Sequence, residues 1–239
     1  MKQKPNFKYE KQWLNTYPDA MVVGLDEAGR GPWAGPVVAG AAWIAPDAVK
    51  DLPSDLADSK TLSEASRQRI YHQLKEIAQD HSQDHSQDHS QNYPQNYPRL
   101  LLASAAVSAA DIDQIGILPA TFRAMQMAVD QLTAVKRCDH VVLLVDGSLT
   151  PNLTTGAKHT HVEAIVKGDR HVLSIAAAAI IAKYDRDQDM LALAQQYPDY
   201  QWHKNKGYGT ADHQSALDAY GVTPYHRASF RPVARRLMK

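Results

Sequence analysis

Met21-Val22-Val23-Gly24-Leu25-Asp26-Glu27-Ala28-Gly29-Arg30-Gly31-Pro32 is the stretch on which the reading of the fold turns. Val22–Asp26 reads as an apolar strand that ends in two adjacent carboxylates, and a glycine-flanked arginine follows at once. Acid pairs at a strand end suit a divalent metal, because hard cations take carboxylate oxygens. Glycines on either side of Arg30 let the backbone approach a ligand closely while the guanidinium reaches a phosphate. Metal and phosphate side by side point to phosphodiester chemistry. A strand-to-turn junction is rich in Asp and Gly for conformational reasons alone, so the stretch needs support from the rest of the chain.

That support comes from a repeated grammar. Val141–Val145 is apolar and ends in Asp146-Gly147; His161–Val166 runs into Lys167-Gly168-Asp169. Asp26, Glu27, Asp146 and Asp169 are thus delivered to places where strands stop, which is where α/β sheets bind ligands. Four clustered carboxylates would repel one another unless cations fill the gap. Pro36–Ile44 and Leu100–Val107 read as further strands. Ser63–Gln79, Leu118–Lys136, Val172–Gln196 and Asp212–Tyr220 read as helices, the third Ala/Ile-rich up to Ala182 and expected to be buried there. Strands alternating with helices predict an α/β domain with a mixed sheet.

The chain has 239 residues, 44% hydrophobic and 22% charged, enough for a sizeable core. Its single cysteine, Cys138, excludes an intramolecular disulfide and a CxxC metal site and fits a reducing compartment. The first twenty residues are polar and lack the apolar core of a signal peptide, and no apolar run nears the roughly 18 residues of a membrane helix. A cytoplasmic protein without membrane association is expected. Net charge is zero, yet residues 201–239 carry seven Lys or Arg against two Asp, leaving +5 there and −5 in the remainder. An acidic body with a basic flank can pair a metal centre with a phosphate-binding surface.

Two segments stand apart. Residues 1–20 read as an irregular or loosely helical lead-in. In residues 80–98, Asp-His-Ser-Gln occurs three times and Gln-Asn-Tyr-Pro twice, without apolar periodicity, which reads as a repeat expansion in a tolerant loop. Its His81, His85 and His89 recur at helical spacing, but Ser, Asp and Pro disfavour the helix that a metal stripe would need. Asp185, Asp187 and Asp189 imitate the opening of a calcium loop. The required glycine is Met190 and the closing glutamate is Gln196, so the pattern fails and a solvated helix face is expected.

Asp26-Glu27-Ala28-Gly29-Arg30-Gly31-Pro32 with Ala34-Gly35-Pro36-Val37-Val38, then Asp58-Ser59-Lys60, Asp146-Gly147 and Lys167-Gly168-Asp169, resemble ribonuclease HII. So do Ser174-Ile175-Ala176-Ala177-Ala178, Ala182-Lys183, Lys206-Gly207-Tyr208 and His226-Arg227. The resemblance runs from about residue 21 to the C-terminus. It implies an RNase H-like fold, a central mixed β-sheet flanked by helices, over residues 21–200, with a small C-terminal helical substrate-binding region over 201–239.

The implied activity is hydrolysis of the RNA strand of RNA–DNA hybrids and nicking 5′ to single ribonucleotides embedded in duplex DNA, leaving 3′-hydroxyl and 5′-phosphate ends. By motif, Asp26, Glu27, Asp146 and Asp169 would be catalytic acids holding two Mg2+ or Mn2+ ions. Gly29, Arg30, Gly31 and Tyr208 would recognise the RNA–DNA junction. Lys60 and Lys183 would contact phosphate or serve in structural ion pairs. Partners other than the nucleic acid are not implied, and a monomer is the default. Asp26 is the best candidate for a ligand shared by both ions. Because neighbouring strand side chains alternate, Glu27 is expected on a bend directly after Asp26. Two positions depart from the pattern: Ala179 where Ser is common, and Trp33 where a smaller aliphatic is common. The sister ribonuclease HIII usually carries Lys at the place of Arg30. An inactive hybrid-binding module and a resolvase- or transposase-like nuclease are the competing readings; the four acids speak against the first, and Gly29–Gly31 with Tyr208 against the second.

Overall fold

A computed structural model describes residues 4–57, 62–79 and 98–238. Lys60, with the rest of Asp58-Ser59-Lys60, and residues 80–97 of the repeat lie outside that range.

Five strands form one sheet: β1 (Met21–Ala28), β2 (Val37–Ile44), β3 (Leu100–Val107), β4 (His140–Asp146) and β5 (His159–Ile165). Their order is β3-β2-β1-β4-β5. β1 pairs antiparallel with β2 and parallel with β4, β2 pairs antiparallel with β3, and β4 pairs parallel with β5. The sheet is therefore mixed, with β1 at its centre. The helices are α1 (Lys8–Thr16), α2 (Glu64–Gln79), α3 (Ala109–Ile115), α4 (Ile117–Val135), α5 (Leu173–Gln196), α6 (Trp202–Asn205), α7 (Ala211–Tyr220) and α8 (Arg231–Leu237). Mixed sheet and flanking helices make the expected RNase H-like α/β architecture. No helix among the described residues is long and apolar enough to cross a membrane.

α5 lies unusually close to the sheet, and the sequence shows why. A Cβ on Gly24 would stand 2.2 Å from the backbone of Ser174 and Ile175, and one on Gly40 would stand 2.2 Å from the Ala178 carbonyl oxygen. Gly24 pairs with Ala42 and Gly40 with Asp26, so both glycines share one face with Asp26. Opposite them, Ser174 to Ala182 are all buried and mostly alanine. Small residues on both sides let helix and sheet backbones meet, which fixes α5 against the strand that carries Asp26. α4 covers the other face, where Lys136 at its C-terminus sits 5.0 Å over the Trp43 ring.

The structure corrects four expectations. β1 does not bend after Asp26: Glu27 pairs with Ala39 and Ala28 with Val38, because antiparallel β2 extends beyond the end of β4 and keeps β1 extended. Residues 1–20 are more than a lead-in, since Tyr9, Trp13 and Leu14 of α1 pack on Val22, Val142, Leu144 and Ile165. α3, unforeseen, is capped by Ser108, whose Oγ accepts from the Asp111 amide at 3.1 Å. Finally, Asp185–Asp189 is a solvated face only in part: Asp189 is exposed, but Asp185, Arg186 and Asp187 are engaged with protein. Arg186 and Asp187 are buried, Asp187 pairs with Lys183 (2.5 Å) and Arg67 (3.6 Å), and Asp185 accepts from Ser104 Oγ.

Beyond α5, Tyr200, Trp202, Ala216 and Leu217 form a small second core with Met190, Leu193 and Ala194. Ala34 belongs to it as well, so the loop after β1 is built into the C-terminal helices.

Candidate active site

Strand register sets two of the carboxylates on neighbouring strand ends. β1 and β4 run parallel with Leu25 beside Val145, and each places an acid next in sequence, Asp26 and Asp146. Asp146 Oδ1 accepts a 2.7 Å hydrogen bond from the Gly168 amide. Lys167 at φ 58 turns the chain sharply after β5 into a short helical turn, Gly168–Arg170, which carries Asp169. Asp169 thus follows directly on the residue bonded to Asp146. Asp26 and Asp169 are 5% and 4% exposed.

All four acids offer carboxylate oxygens, the donors that Mg2+ and Mn2+ prefer, and buried carboxylates need compensation by cations or hydrogen bonds. Their chemistry and backbone placement fit such ions. Three of the side chains are turned to protein partners: Glu27 to Arg30 at 3.2 Å, Asp26 to the Glu27 amide at 2.6 Å, Asp146 to Gly168. Accordingly, among the described residues no three His, Cys, Asp or Glu side chains stand together as a metal cage.

Next to the acids opens a cleft of about 230 Å³. Asp26, Glu27, Gly29, Arg30 and Gly31 line it on one side, Lys183 and Arg186 of α5 on another, and Tyr208 closes it. Tyr208 is 48% exposed. A Cβ on Gly31 would lie 3.6 Å from Tyr208 Cε1, so these two residues face each other across the opening. Ala179, one of the two departures, lies in the same cleft. Lys183 is committed to Asp187 while reaching the cleft, and burial draws its pKa down.

The glycine loop owes its shape to two arginines to which the sequence assigned no such role. Gly29 has φ 97, and a Cβ there would overlap the Arg186 side chain at 2.0 Å. Arg186 donates to the carbonyls of Pro36 (3.1 Å) and Lys206 (3.0 Å). Arg227, fully buried, donates to Gly29 (2.6 Å), Arg30 (3.1 Å), Pro32 (2.8 Å), Gly35 (2.9 Å) and Pro36 (3.0 Å). A guanidinium has five N–H donors in a fixed fork, so one side chain organises the carbonyls of a whole turn. Burial first, and then Arg186, lower the Arg227 pKa to about 9, which leaves it charged at neutral pH. His226-Arg227 is part of the motif set, but its partners lie nearly two hundred residues away, and no local pattern marks the contact.

Tyr208 is held from behind by two buried histidines. Trp202 Nε1, a donor only, gives its proton to His213 Nε2 at 3.1 Å. His213 Nδ1 must then carry the hydrogen that it donates to the Tyr208 carbonyl at 2.9 Å. His226 Nδ1 accepts from the Thr223 amide at 3.0 Å, so its Nε2 donates to His213 Nε2 at 3.0 Å. Both rings are therefore neutral. Burial, then His213, push the His226 pKa to about 3, and burial lowers that of His213. Trp33, the other departure, covers Gly209 and tilts against the His213 ring 5.9 Å away. Its amide donates to the Gly207 carbonyl at 2.8 Å. The acid-bearing loop and the Tyr208 loop are thus one structure.

The sequence profile of the family described as Ribonuclease HII matches residues 23–233. A curated relative named Ribonuclease HII, from Acidovorax sp. (strain JS42), is 42% identical over 228 residues, covering 95% of this chain and 93% of the relative. The crystal structure of the ribonuclease H2 from Pyrococcus horikoshii OT3 superposes with a TM-score of 0.64 at 24% identity, covering 90% of this chain and 95% of that one. Bst-RNase HIII, solved in complex with Mn2+, does so with 0.64 at 16% identity, covering 92% and 70%.

Proposed function

The chain belongs to the ribonuclease HII family and is a nuclease of the RNase H type II class, and from that premise we propose that it nicks duplex DNA 5′ to a single embedded ribonucleotide as well as cutting RNA in RNA–DNA hybrids. The observation that carries this reading is the cleft in which Asp26 and Glu27 adjoin the Gly29–Gly31 backbone and face Tyr208.

RNA differs from DNA by the 2′-hydroxyl, so a junction reader must place polar groups within hydrogen-bond reach of one sugar. Gly29 and Gly31 leave the backbone unshielded at the cleft wall; a larger side chain at 31 would stand between the loop and Tyr208, and one at 29 would displace Arg186. Tyr208, half exposed opposite Gly31, offers a ring face to the neighbouring deoxyribose. Arg186 and Arg227 keep the loop's carbonyls turned inward, and so leave its outer edge to the substrate. Arg30, exposed and paired with Glu27, is in reach of a phosphate that would compete for its guanidinium.

Asp26, Glu27, Asp146 and Asp169 would hold the divalent ions; that Bst-RNase HIII is solved in complex with Mn2+ supports a divalent ion as the cofactor. When bound, two Mg2+ or Mn2+ ions would supply the positive charge that activates the attacking water and stabilises the leaving 3′-oxygen. The four side chains contribute negative charge on rigid strand ends and turns, and keep that charge at the sheet edge where the scissile phosphate would arrive. Lys183, held by Asp187, adds a positive group on the opposite wall.

The test is a labelled duplex with one ribonucleotide, incubated with Mg2+ or Mn2+. A single nick 5′ to the ribonucleotide is expected. Cleavage of long RNA–DNA hybrids without that nick would refute the junction reading, and no cleavage of either would refute the nuclease assignment of this site.

A further inference from the structure

Asp169 stands on a turn between two anchors. The near one is Asp146, which bonds the Gly168 amide. The far one comes from the other end of the chain. The Asn6 amide donates to the His171 carbonyl at 3.0 Å, and the Leu173 amide donates to the Asn6 carbonyl at 3.3 Å, so residue 6 forms a parallel bridge to Val172. One turn later Glu10 Oε1 accepts from both the amide (2.9 Å) and the hydroxyl (2.8 Å) of Ser174. Between the anchors, the His171 and Val172 amides both donate to the Gly168 carbonyl, at 2.9 and 2.8 Å. Leu173, the neighbour of Ser174, is thus joined to Gly168 by three consecutive hydrogen bonds, through Asn6 and His171.

Apart from the Asn6 carbonyl on the Leu173 amide, the first turn of α5 has no other cap among the described residues. Its N-cap residue Val172 provides no side-chain acceptor and the turn itself contains no acid, although α5 is 24 residues long. Glu10 supplies what is missing: a side-chain acceptor for the orphan Ser174 amide. Glu10 is 1% exposed, and its Oε2 is buried with no hydrogen-bond partner among the described residues. A polar atom left so is costly, and an apolar side chain would fill the position more cheaply if packing were its purpose.

We propose that Asn6 and Glu10 form a clasp that positions Asp169 for metal binding, with Glu10 a positioning residue for the reaction. The inference rests on the ribonuclease reading of the site. It makes α1 part of the catalytic apparatus although none of its side chains lines the cleft.

Two substitutions test it in the full-length protein. Glu10→Ala removes the cap, whereas Glu10→Gln keeps an acceptor for both Ser174 donors. Three quantities are read: Mn2+ affinity by titration calorimetry without substrate, exchange of the Gly168–Ser174 amides, and kcat and KM on a duplex with one ribonucleotide. E10A is expected to weaken Mn2+ binding and lower kcat about tenfold, the range seen when an outer partner of a metal ligand is lost. KM should stay within about twofold, amide exchange should rise, and E10Q should restore wild-type values to within about twofold.

The clasp is overturned if E10A matches the wild type in Mn2+ affinity and kcat and loses only thermal stability, or if E10Q is as weak as E10A. Should E10A not fold, Ser174→Ala, which deletes one of the two bonds, carries the same test with a smaller expected loss of about threefold. An unchanged Mn2+ affinity in S174A would then overturn the proposal. A wild-type protein that binds Mn2+ but does not cut would instead fail the ribonuclease reading, which the calorimetry separates from the clasp.

Discussion

His226 makes the protein sensitive to acid in a calculable way. Its ring is 2% exposed, and burial, then His213, lower its pKa from 6.5 to about 3. The folded pKa lies below the unfolded one, so below pH 6.5 protons bind preferentially to the unfolded chain. The stability is therefore complete above that pH and is lost as pH falls through the window from 6.5 toward 3. Between about pH 7.5 and 5 an unfolded imidazole becomes almost fully protonated while the folded one stays neutral. The cost at pH 5 is then about 2 kcal/mol, since each pKa unit is worth about 1.4 kcal/mol. His213 is shifted the same way by burial and adds to the loss. Glutamine at 226 keeps a donor for His213 but does not titrate. Urea unfolding of wild type and His226→Gln at about pH 7.5 and 5 should show the wild type losing about 2 kcal/mol more between the two conditions. Equal losses in the two proteins would show that His226 is not held neutral by its surroundings. The reasoning from burial and from the Trp202–His213–His226 chain would then fall.

Asp26→Asn or Asp146→Asn should reduce cleavage to below about one-thousandth of wild type while fluorescence anisotropy still detects hybrid binding, because both acids belong to the set proposed to hold the ions. Gly24→Ala should cost about 3 kcal/mol, read as a fall of roughly 10 °C in Tm, because its Cβ meets the backbone of Ser174 and Ile175 at 2.2 Å and neither element can yield. Arg227→Lys should not substitute for arginine: an ammonium cannot reach the carbonyls of Gly29, Arg30, Pro32, Gly35 and Pro36 together. About 3 kcal/mol of stability should be lost, with at least tenfold lower kcat/KM on single-ribonucleotide duplexes, measured by urea unfolding and by nicking.

What could be read from the chain depended on how local each cause is. β3 is legible residue for residue because Leu100–Val107 is apolar but for Ser104; β1, β2, β4 and β5 differ by one or two residues at their ends, where pairing rather than pattern sets the limit. The bend expected after Asp26 failed for that reason. Neighbouring side chains alternate on a strand, but a strand's length is set by its neighbours, and β2 outlasts β4 along β1. Glu27 thus reaches the cleft from an extended strand. Asp26, Glu27, Gly29, Arg30, Gly31, Lys183 and Tyr208 could be named from short motifs, and the structure does bring them to one cleft.

The supports of that cleft could not be named, and the physics explains why. A glycine loop is chosen for access, and access leaves its carbonyls without a partner of their own. Two guanidiniums meet that need, one on α5 and one beyond α7, each buried and each facing carbonyls rather than carboxylates. In sequence Arg186 looks like a surface residue between two aspartates. The opposite inference holds in space: Asp187 turns to Arg67 and Lys183, which frees Arg186 for the loop. A motif in which glycine gives the backbone to a ligand therefore implies a distant donor that holds that backbone in place. Arg186, Arg227 and Glu10 answer the same requirement at three edges of the site, and each is buried, polar and far in sequence from what it holds.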